Sequence, residues 1–591
     1  MDVNDRLSEL PEEVIHQIMY SLPTLEVTRM SVLSKGFLSM WRSFPVMDLD
    51  TDLQLQTTGT SNPKDLFGFV VSCLERRRTS VHQRLRLKSR IWAYGYDEDQ
   101  RLVNDMFERI INFATRNRTK ELHLHYKGKP LYCMSMPIKS LLFSSKYLRS
   151  LRLSNIDFDG HYNLILTCPL IEDLKLSHCV GLQSIDITCA AKRIRAVKFK
   201  YCEPLDSIRI SSNTVESLCW DVYDFYGWGN PDRVRDISLN LPSPESLKHL
   251  RLLNVDITDE WFSYHVPQFA GLESLELLNC GRLKNILITG ENNKRLRKFL
   301  LSSNTDMENV HIAAPNLEHL LIDQNPNPAS LSISGCTSTL RKLEILLFRV
   351  TGVWIQENLS GLRLLEHLLV GGFSFDCSTD FALNNNKPKH KLCFDSLKDL
   401  NLNLTSELLS SVGGFEAPNL DSFNYQCDEF NAASAPLPIV CPNLTNAHLA
   451  LKFDQNLDAS MLRRSLVHLL RSFGHCKTLS LFVVRDVRLI SSKDVVWLVD
   501  NSLWLVPRPE TMSFKGTGNM PDVIIKFYYG KRSSEFKEGK DCVSCCCSSS
   551  PVKCWRHCLS EVTWENIDDW LSMKLKNYFV QNAINAVITI I

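Results

Sequence analysis

The sequence predicts an α+β chain. Three short helices fill the first 47 residues, a long solenoid of short strands with coils of about 23 residues follows, and an atypical cap closes the C-terminal end. Three observations predict this. An apolar pattern repeats at a near-constant interval from about residue 148 to 480. The first 47 residues instead carry helical spacing and helix start signals. The pattern fades after about residue 500. With 591 residues, the chain is several times longer than a typical domain of roughly 150, which favours an array or several domains over one core.

The repeat reads Leu-x-x-Leu-x-Leu. Clear copies are Leu148, Leu151, Leu153; Ile171, Leu174, Leu176; Ile194, Val197, Phe199; Leu272, Leu275, Leu277; Leu296, Phe299, Leu301; and Leu317, Leu320, Ile322. Weaker copies begin at Leu340, Leu365, Leu397, Leu420 and Leu444. Starts at 148, 171, 194 and 215 differ by 23, 23 and 21 residues, inside the range of leucine-rich repeats. The last two apolar positions alternate, which is the period-2 signature of a half-buried strand. A second register, Leu182-x-x-Ile185-x-Ile187, starts 11 residues after Ile171, and Leu283, Ile286, Ile288 start 11 after Leu272. Each coil is therefore expected to carry a strand on its concave side and a strand or extended segment on the other, with no long helix.

Cys179, Cys202 and Cys280, and Asn304 and Asn325, fall at the ninth position of their coils. They are expected to fill a narrow buried turn, where Asn can also bond backbone groups. Cys168-Pro169, Ala314-Pro315-Asn316, Ala417-Pro418-Asn419 and Cys441-Pro442-Asn443 punctuate the coils, because proline sets an extended entry and cannot donate inside a ladder. Two intervals stretch to 32 residues, from 215 to 247 and from 365 to 397. The first insertion holds Trp220, Tyr223, Phe225, Tyr226 and Trp228. Two readings stand for it: rings folded over the neighbouring coil as local core, or exposed anchors for a target, with Tyr226 and Trp228 the candidates for exposure. Trp220 matches Leu176 in register and is expected inside. The second insertion, with Asn384 to Lys389, reads as a solvated loop.

At the N-terminus, Pro11 stands at a first helical position and Glu12 and Glu13 occupy the first turn, where acids favour a helix. Val14, Ile18 and Leu22 recur at i, i+4, i+8 as one apolar face. Pro23 stops this helix. Thr24 and Ser34 can cap two more, the last carrying Phe37 and Trp41 four apart. Three short helices bury little core alone, so the module is expected to lean on a partner.

These residues carry a resemblance. The run from Asp5 to Ile15, then Ser21-Leu22-Pro23, Ser31 to Lys35 and Leu38 to Trp41, resembles an F-box of the plant F-box/leucine-rich-repeat type. The chain departs from that pattern at Gly36-Phe37, where the family has a basic residue and Trp; an aromatic ring is kept. The resemblance implies binding to a Skp-type adaptor and, through it, to a cullin–RING ubiquitin ligase. It implies that Leu10, Pro11, Ile18, Leu22, Pro23, Val32, Leu33 and Trp41 stand at the family's apolar positions. They serve either the adaptor interface or the module's own core. The order that follows is also similar to the family: a strand near 80–87, an amphipathic helix from Asp99 to Arg116, and a strand opening the array near 118–124. Cys554 to Val562 and Trp564-Glu565-Asn566 resemble an FBD-type cap, which an array needs at its end. The expected domains are the F-box at 1–47, a connecting region at 48–119, the repeats at 120–530, and a Cys-rich loop with the cap at 531–591.

Other chemistry is thinly represented. Lys and Arg number 67 against 66 Asp and Glu, which argues against a dedicated nucleic-acid binder. The start Met1 to Arg6 is too polar for a signal peptide, so the 20 cysteines are expected as free thiols and the chain in the nucleus or cytoplasm. No run approaches the ~18 apolar residues of a membrane span. No phosphate loop, dinucleotide fingerprint, nucleophile elbow or His-Glu-x-x-His motif occurs. No enzyme, cofactor or metal is expected. Cys542 and Cys545, with His557 or Cys558, have the residue types of a zinc site, but the flanking Ser548-Ser549-Ser550 and the lack of a downstream Cys-x-x-Cys favour a loop running into the cap. Arg76-Arg77-Arg78, with Arg84, Arg86, Lys88 and Arg90, reads as a solvated helix end and the outer face of a strand. The expected function is the substrate-recognition subunit of an SCF-type (Skp–cullin–F-box) ligase, its repeats binding a target protein. The alternative is a leucine-rich-repeat scaffold or small-ligand sensor without ligase engagement.

Overall fold

A computed structural model describes residues 10–22, 24–50, 63–77, 83–89, 97–126, 134–135, 142–203, 205–222, 236–238, 243–302, 304, 306–324, 330–347, 352–372, 391–404, 414–430, 439–453, 469–470, 473, 476, 478–484, 492–505, 509–514, 522–530, 555–583 and 586–590. The chain divides into two compact units, Met1–Met307 and Glu308–Ile591. No described helix is long and apolar enough to cross a membrane.

The first unit opens with helices α1 (Glu12–Ser21), α2 (Thr24–Met30) and α3 (Lys35–Ser43). The side chain of Ser34 caps α3 by accepting from Phe37 N at 3.2 Å. The core of the helices is Ile15, Met19, Val27, Phe37, Trp41, Phe44 and Val46. On α1 it is Ile15 and Met19 that turn inward, whereas Val14 and Leu22 are exposed and Ile18 is half-buried. Of the two readings left open for Ile18 and Leu22, neither side chain belongs to the buried core. The helix carries two apolar stripes at i, i+4 spacing, and the one facing Phe37, Trp41 and Phe44 is the inner one.

The sheet begins sooner than the repeat pattern. Strand β1 (Val46–Asp50) leaves α3 directly and pairs in parallel with β2 (Arg84–Ser89), which pairs with β3 (Glu121–Tyr126). The ladder continues in parallel, residue for residue, through Ser150–Ser154, Asp173–Ser177, Ala196–Lys200, Ser217–Asp221, His249–Leu253, Ser274–Leu278 and Lys298–Ser302. Because the pairing is in register, the alternating apolar residues stack. Leu85, Leu122, Leu151, Leu174 and Val197 form one buried row; Leu87, Leu124, Leu153, Leu176 and Phe199 form the next. Leu275 and Leu277 continue them, and Trp220 sits in the second row between Phe199 and Leu252.

Each coil turns where its strand ends. Asn155, His178, Tyr201, Asn254 and Asn279 have φ between 50° and 58°. This left-handed step is one that Asn adopts more readily than most residues. It sends the next residue into the core, and Cys179, Cys202 and Cys280 are buried there as expected. Asn304, also buried, accepts from Cys280 N through its side-chain oxygen, satisfying a backbone donor of the neighbouring coil. The half-period strands appear as a second parallel sheet of Met134–Ser135, Ile156–Leu166, Val180–Ile187, Ser207–Ile210 and Asp236–Ser238.

Among the described residues three α-helices depart from the expected all-strand coils: Asp259–His265 in the first unit, and Gly352–Leu359 and the longer Ser492–Leu505 in the second, the last correcting the expectation that 120–530 holds no long helix. The first has a local cause. Thr258 accepts from Trp261 N at 3.3 Å, and Asp259 and Glu260 fill the first turn.

The second unit repeats the parallel plan through His319–Gln324, Lys342–Leu347, His367–Gly372, Asp399–Asn403, Ser422–Phe430, Asn446–Phe453, Thr478–Val484 and Pro509–Phe514. Leu340, Leu365, Leu397, Leu420 and Leu444 are all buried. The Pro-Asn turns also bond across coils: Asn419 Nδ2 donates to Asp395 O at 2.7 Å and Asn443 Nδ2 to Pro418 O at 2.8 Å. The pattern then changes. Val523–Tyr529 runs antiparallel to Pro509–Phe514 and to Leu559–Glu565. Helix Asp569–Asn582, capped by Asp568, packs Phe579 against Trp564, Trp555 and Phe527.

Candidate functional site: the exposed face of the N-terminal helices

The helices that bury Phe37 and Trp41 leave apolar side chains outside. Pro11, Val14, Ile18 and Leu22 follow one another at spacings of three and four, on one side of α1. Between α2 and α3, a turn is closed by Val32 N donating to Arg29 O at 3.2 Å and Leu33 N to Met30 O at 3.1 Å. Ser31 Oγ also donates to Thr28 O at 2.6 Å. The turn holds Val32 82% exposed and Leu33 66% exposed. Each would contribute about 1.5–3 kcal/mol on full burial, so a rigid turn presenting both is suited to a partner that covers them.

The remaining expected residues divide. Leu10 packs against the helical core from its edge and is half-buried. Pro23 lies outside the described residues. Trp41 is only 4% exposed, with Phe37 beside it in the core, so its role is to hold the helices together rather than to face a partner. Phe37, which replaces the family's Trp, is buried in that same core, and the helix packing survives the replacement. Tyr20, exposed and edge-on to Phe44, was not anticipated.

Arg77 is a larger surprise. Expected on a solvated helix end, it is 9% exposed. Its guanidinium donates to Trp41 O, to Phe44 O at 2.9 Å and to Val46 O at 3.5 Å, and lies 4.3 Å above the Trp41 ring. Burial pushes its pKa down to about 10, so it remains charged at neutral pH. It ties the end of helix Pro63–Arg76 to the last turn of α3 and the start of β1, fixing the helical module on the first strand of the sheet. The sequence signal was a basic run, and nothing in such a run distinguishes the buried member. Arg76 is exposed, while Arg78 and Arg90 lie outside the described residues.

The other candidates yield less. Tyr226 and Trp228, with Tyr223 and Phe225, lie outside the described residues; Trp220 is core. Cys542, Cys545 and Cys554 also lie outside them. Among the described residues no group of three or more His, Cys, Asp or Glu could hold a metal ion.

Comparison with known proteins agrees with this geometry. Residues 7–49 match the F-box domain. The chain is 25% identical over 257 residues to F-box/LRR-repeat protein 13 of Arabidopsis thaliana, covering 42% of this chain and 52% of that protein. It is 23% identical over 354 residues to a putative F-box/FBD/LRR-repeat protein of the same plant, covering 51% and 79%. A further F-box/FBD/LRR-repeat protein is 33% identical over 121 residues, 20% of this chain and 24% of the relative. The chain thus spans about half the length of some of the curated relatives it matches. The chain carries an F-box domain at its N-terminus, and it is similar to F-box/LRR-repeat and F-box/FBD/LRR-repeat proteins of a plant.

Proposed function

We propose that the chain is the substrate-recognition subunit of an SCF-type (Skp–cullin–F-box) ubiquitin ligase. The observation that carries this is the exposed Val32–Leu33 turn within the matched F-box. A Skp-type adaptor covers it, with the Pro11, Val14, Ile18 and Leu22 side of α1, and brings a cullin–RING module. The parallel ladders are read as coils of a leucine-rich-repeat solenoid closed by an FBD-type cap, and their solvent face holds the target. The chain then performs no chemistry. It raises the target's effective concentration beside a charged ubiquitin-conjugating enzyme. Nucleus and cytoplasm are the compartments proposed for it.

The test is recovery of the tagged full chain from plant cells with the proteasome blocked. A Skp-type adaptor and a cullin are expected in the wild-type fraction, with ubiquitinated target proteins beside them. Recovery of targets without adaptor or cullin would instead mark a repeat scaffold.

A further inference from the structure

The solvent face of the main ladder in the first unit is divided by charge. Register from β2 onward places Arg86, His123, Arg152, Lys175 and Lys198 in one row across five neighbouring strands. Strands lie about 4.8 Å apart, so the row runs for roughly 19 Å. Arg86, Arg152 and Lys198 are exposed and Lys175 is half-exposed, while the flanking residues of each strand are buried leucines, valine or phenylalanine. Like charges directly opposite each other weaken a sheet, yet Arg152, Lys175 and Lys198 stand side by side.

Arg152 is offset by Asp173 at 2.9 Å. Among the described residues nothing makes an ion pair with Arg86, Lys175 or Lys198. The contrast lies a few strands on. There Arg251 is held between Asp221 at 2.9 Å and Glu276 at 2.6 Å, and Lys298 bonds Glu276 at 2.7 Å. The positive field in the row is also felt by His123, whose pKa is driven down to about 4 by burial first and then by Arg152 and Arg86.

Core packing requires none of these exposed charges, and their repulsion opposes folding. We propose that this face docks an acidic peptide segment of the recruited protein, laid across the strands with its carboxylates on Arg86, Lys175 and Lys198. The receptor reading above enters only in making the occupant a target protein. A row of one charge sign raises the local concentration of an oppositely charged segment and orients it. Two features favour a peptide over nucleic acid. Glu121 and Asp173 stand in the adjoining row, where they oppose a continuous phosphate backbone. No Phe, Tyr or Trp stands in the exposed rows of these five strands to stack on bases.

The experiment uses the full chain, with fluorescence anisotropy of a labelled oligo-glutamate peptide and of a labelled oligo-deoxythymidylate. The peptide is expected to bind and to weaken as salt rises. Lys175→Glu with Lys198→Glu should lower its affinity by about tenfold or more, and Lys175→Arg with Lys198→Arg should keep it. Lys192→Glu with Arg193→Glu makes the same change in net charge on an exposed turn and should leave affinity within about twofold. Lys175→Gln with Lys198→Gln removes repulsion, so it should fold at least as stably as wild type while binding less. Equal loss in both charge-reversed pairs, or tighter binding of the oligonucleotide than of the peptide, would overturn the proposal. Adaptor co-purification is read on the same preparations. Wild type that holds adaptor but not peptide sinks this surface alone. Wild type that holds peptide but not adaptor supports the surface and sinks the ligase reading.

Discussion

Arg77 and His123 are buried titratable residues with opposite consequences. Arg77 is charged and donates from both Nη atoms to backbone carbonyls, so replacing it by Met keeps the stem and strips Trp41, Phe44 and Val46 of a shared donor. The Arg77→Met variant should lose about 2–4 kcal/mol of stability. Hydrogen exchange should become faster first at residues 41–46; unchanged protection there would mean that the guanidinium holds nothing. His123 is buried in its neutral form with its pKa lowered to about 4, against about 6.5 for a free imidazole. The unfolded chain therefore binds a proton that the folded chain refuses between those values. Stability from this group is fully present above about pH 6.5 and declines by roughly 1–3 kcal/mol as pH falls to 4. A His123→Gln variant should show a shallower loss of urea stability across that window, and an identical slope would contradict the assignment.

At the scale of strands and turns, the sequence was legible wherever period and burial coincide. Leu174, Leu176, Leu275, Leu277 and Trp220 lie where the repeat puts them, because one slipped residue would turn every apolar side chain to solvent. It was less legible where two patterns compete. Helix α1 carries Val14/Ile18/Leu22 and Ile15/Met19, and only the position of Phe37 and Trp41 decides which pair of faces is inside. The strand Val46–Asp50 is too short and too acidic to announce itself, and it forms because β2 is there to pair with it. The helix Asp259–His265 has a cap and an acidic first turn in its sequence, signals that the strand period overshadowed. The coil cysteines follow from the same packing. Burial pushes Cys168, Cys280 and Cys476 up to about 12, whereas Cys189 and Cys393 are exposed. Iodoacetamide at pH 8 should label Cys189 and Cys393 in the native chain and spare the other three, read by peptide mass spectrometry. Labelling of Cys280 before unfolding would contradict a closed core. Leu275→Asp places a carboxylate in that core and should cost on the order of 3 kcal/mol or more, seen as a lower urea midpoint.

For the whole molecule, the central proposal is a division of labour: the F-box takes the adaptor and the strand-rich remainder takes the target. The helical module does not hang on a free tether, because β1 follows α3 immediately and Arg77 grips both. That arrangement suits a receptor that must hold its cargo at a fixed place, and it was not legible in the sequence, where 48–119 read as a connection. Which apolar residues of the F-box stand outside its core was legible only in part: Val32 and Leu33 are exposed, whereas Trp41 is core. The most direct measurement is calorimetric titration of the full chain with a Skp-type adaptor, for wild type and for Val32→Asp with Leu33→Asp. Both residues are exposed, so the variant should melt like wild type while its adaptor affinity falls by about 2 kcal/mol or more, some thirtyfold. Wild-type affinity in that variant, or no adaptor binding by the wild-type chain, would contradict the account.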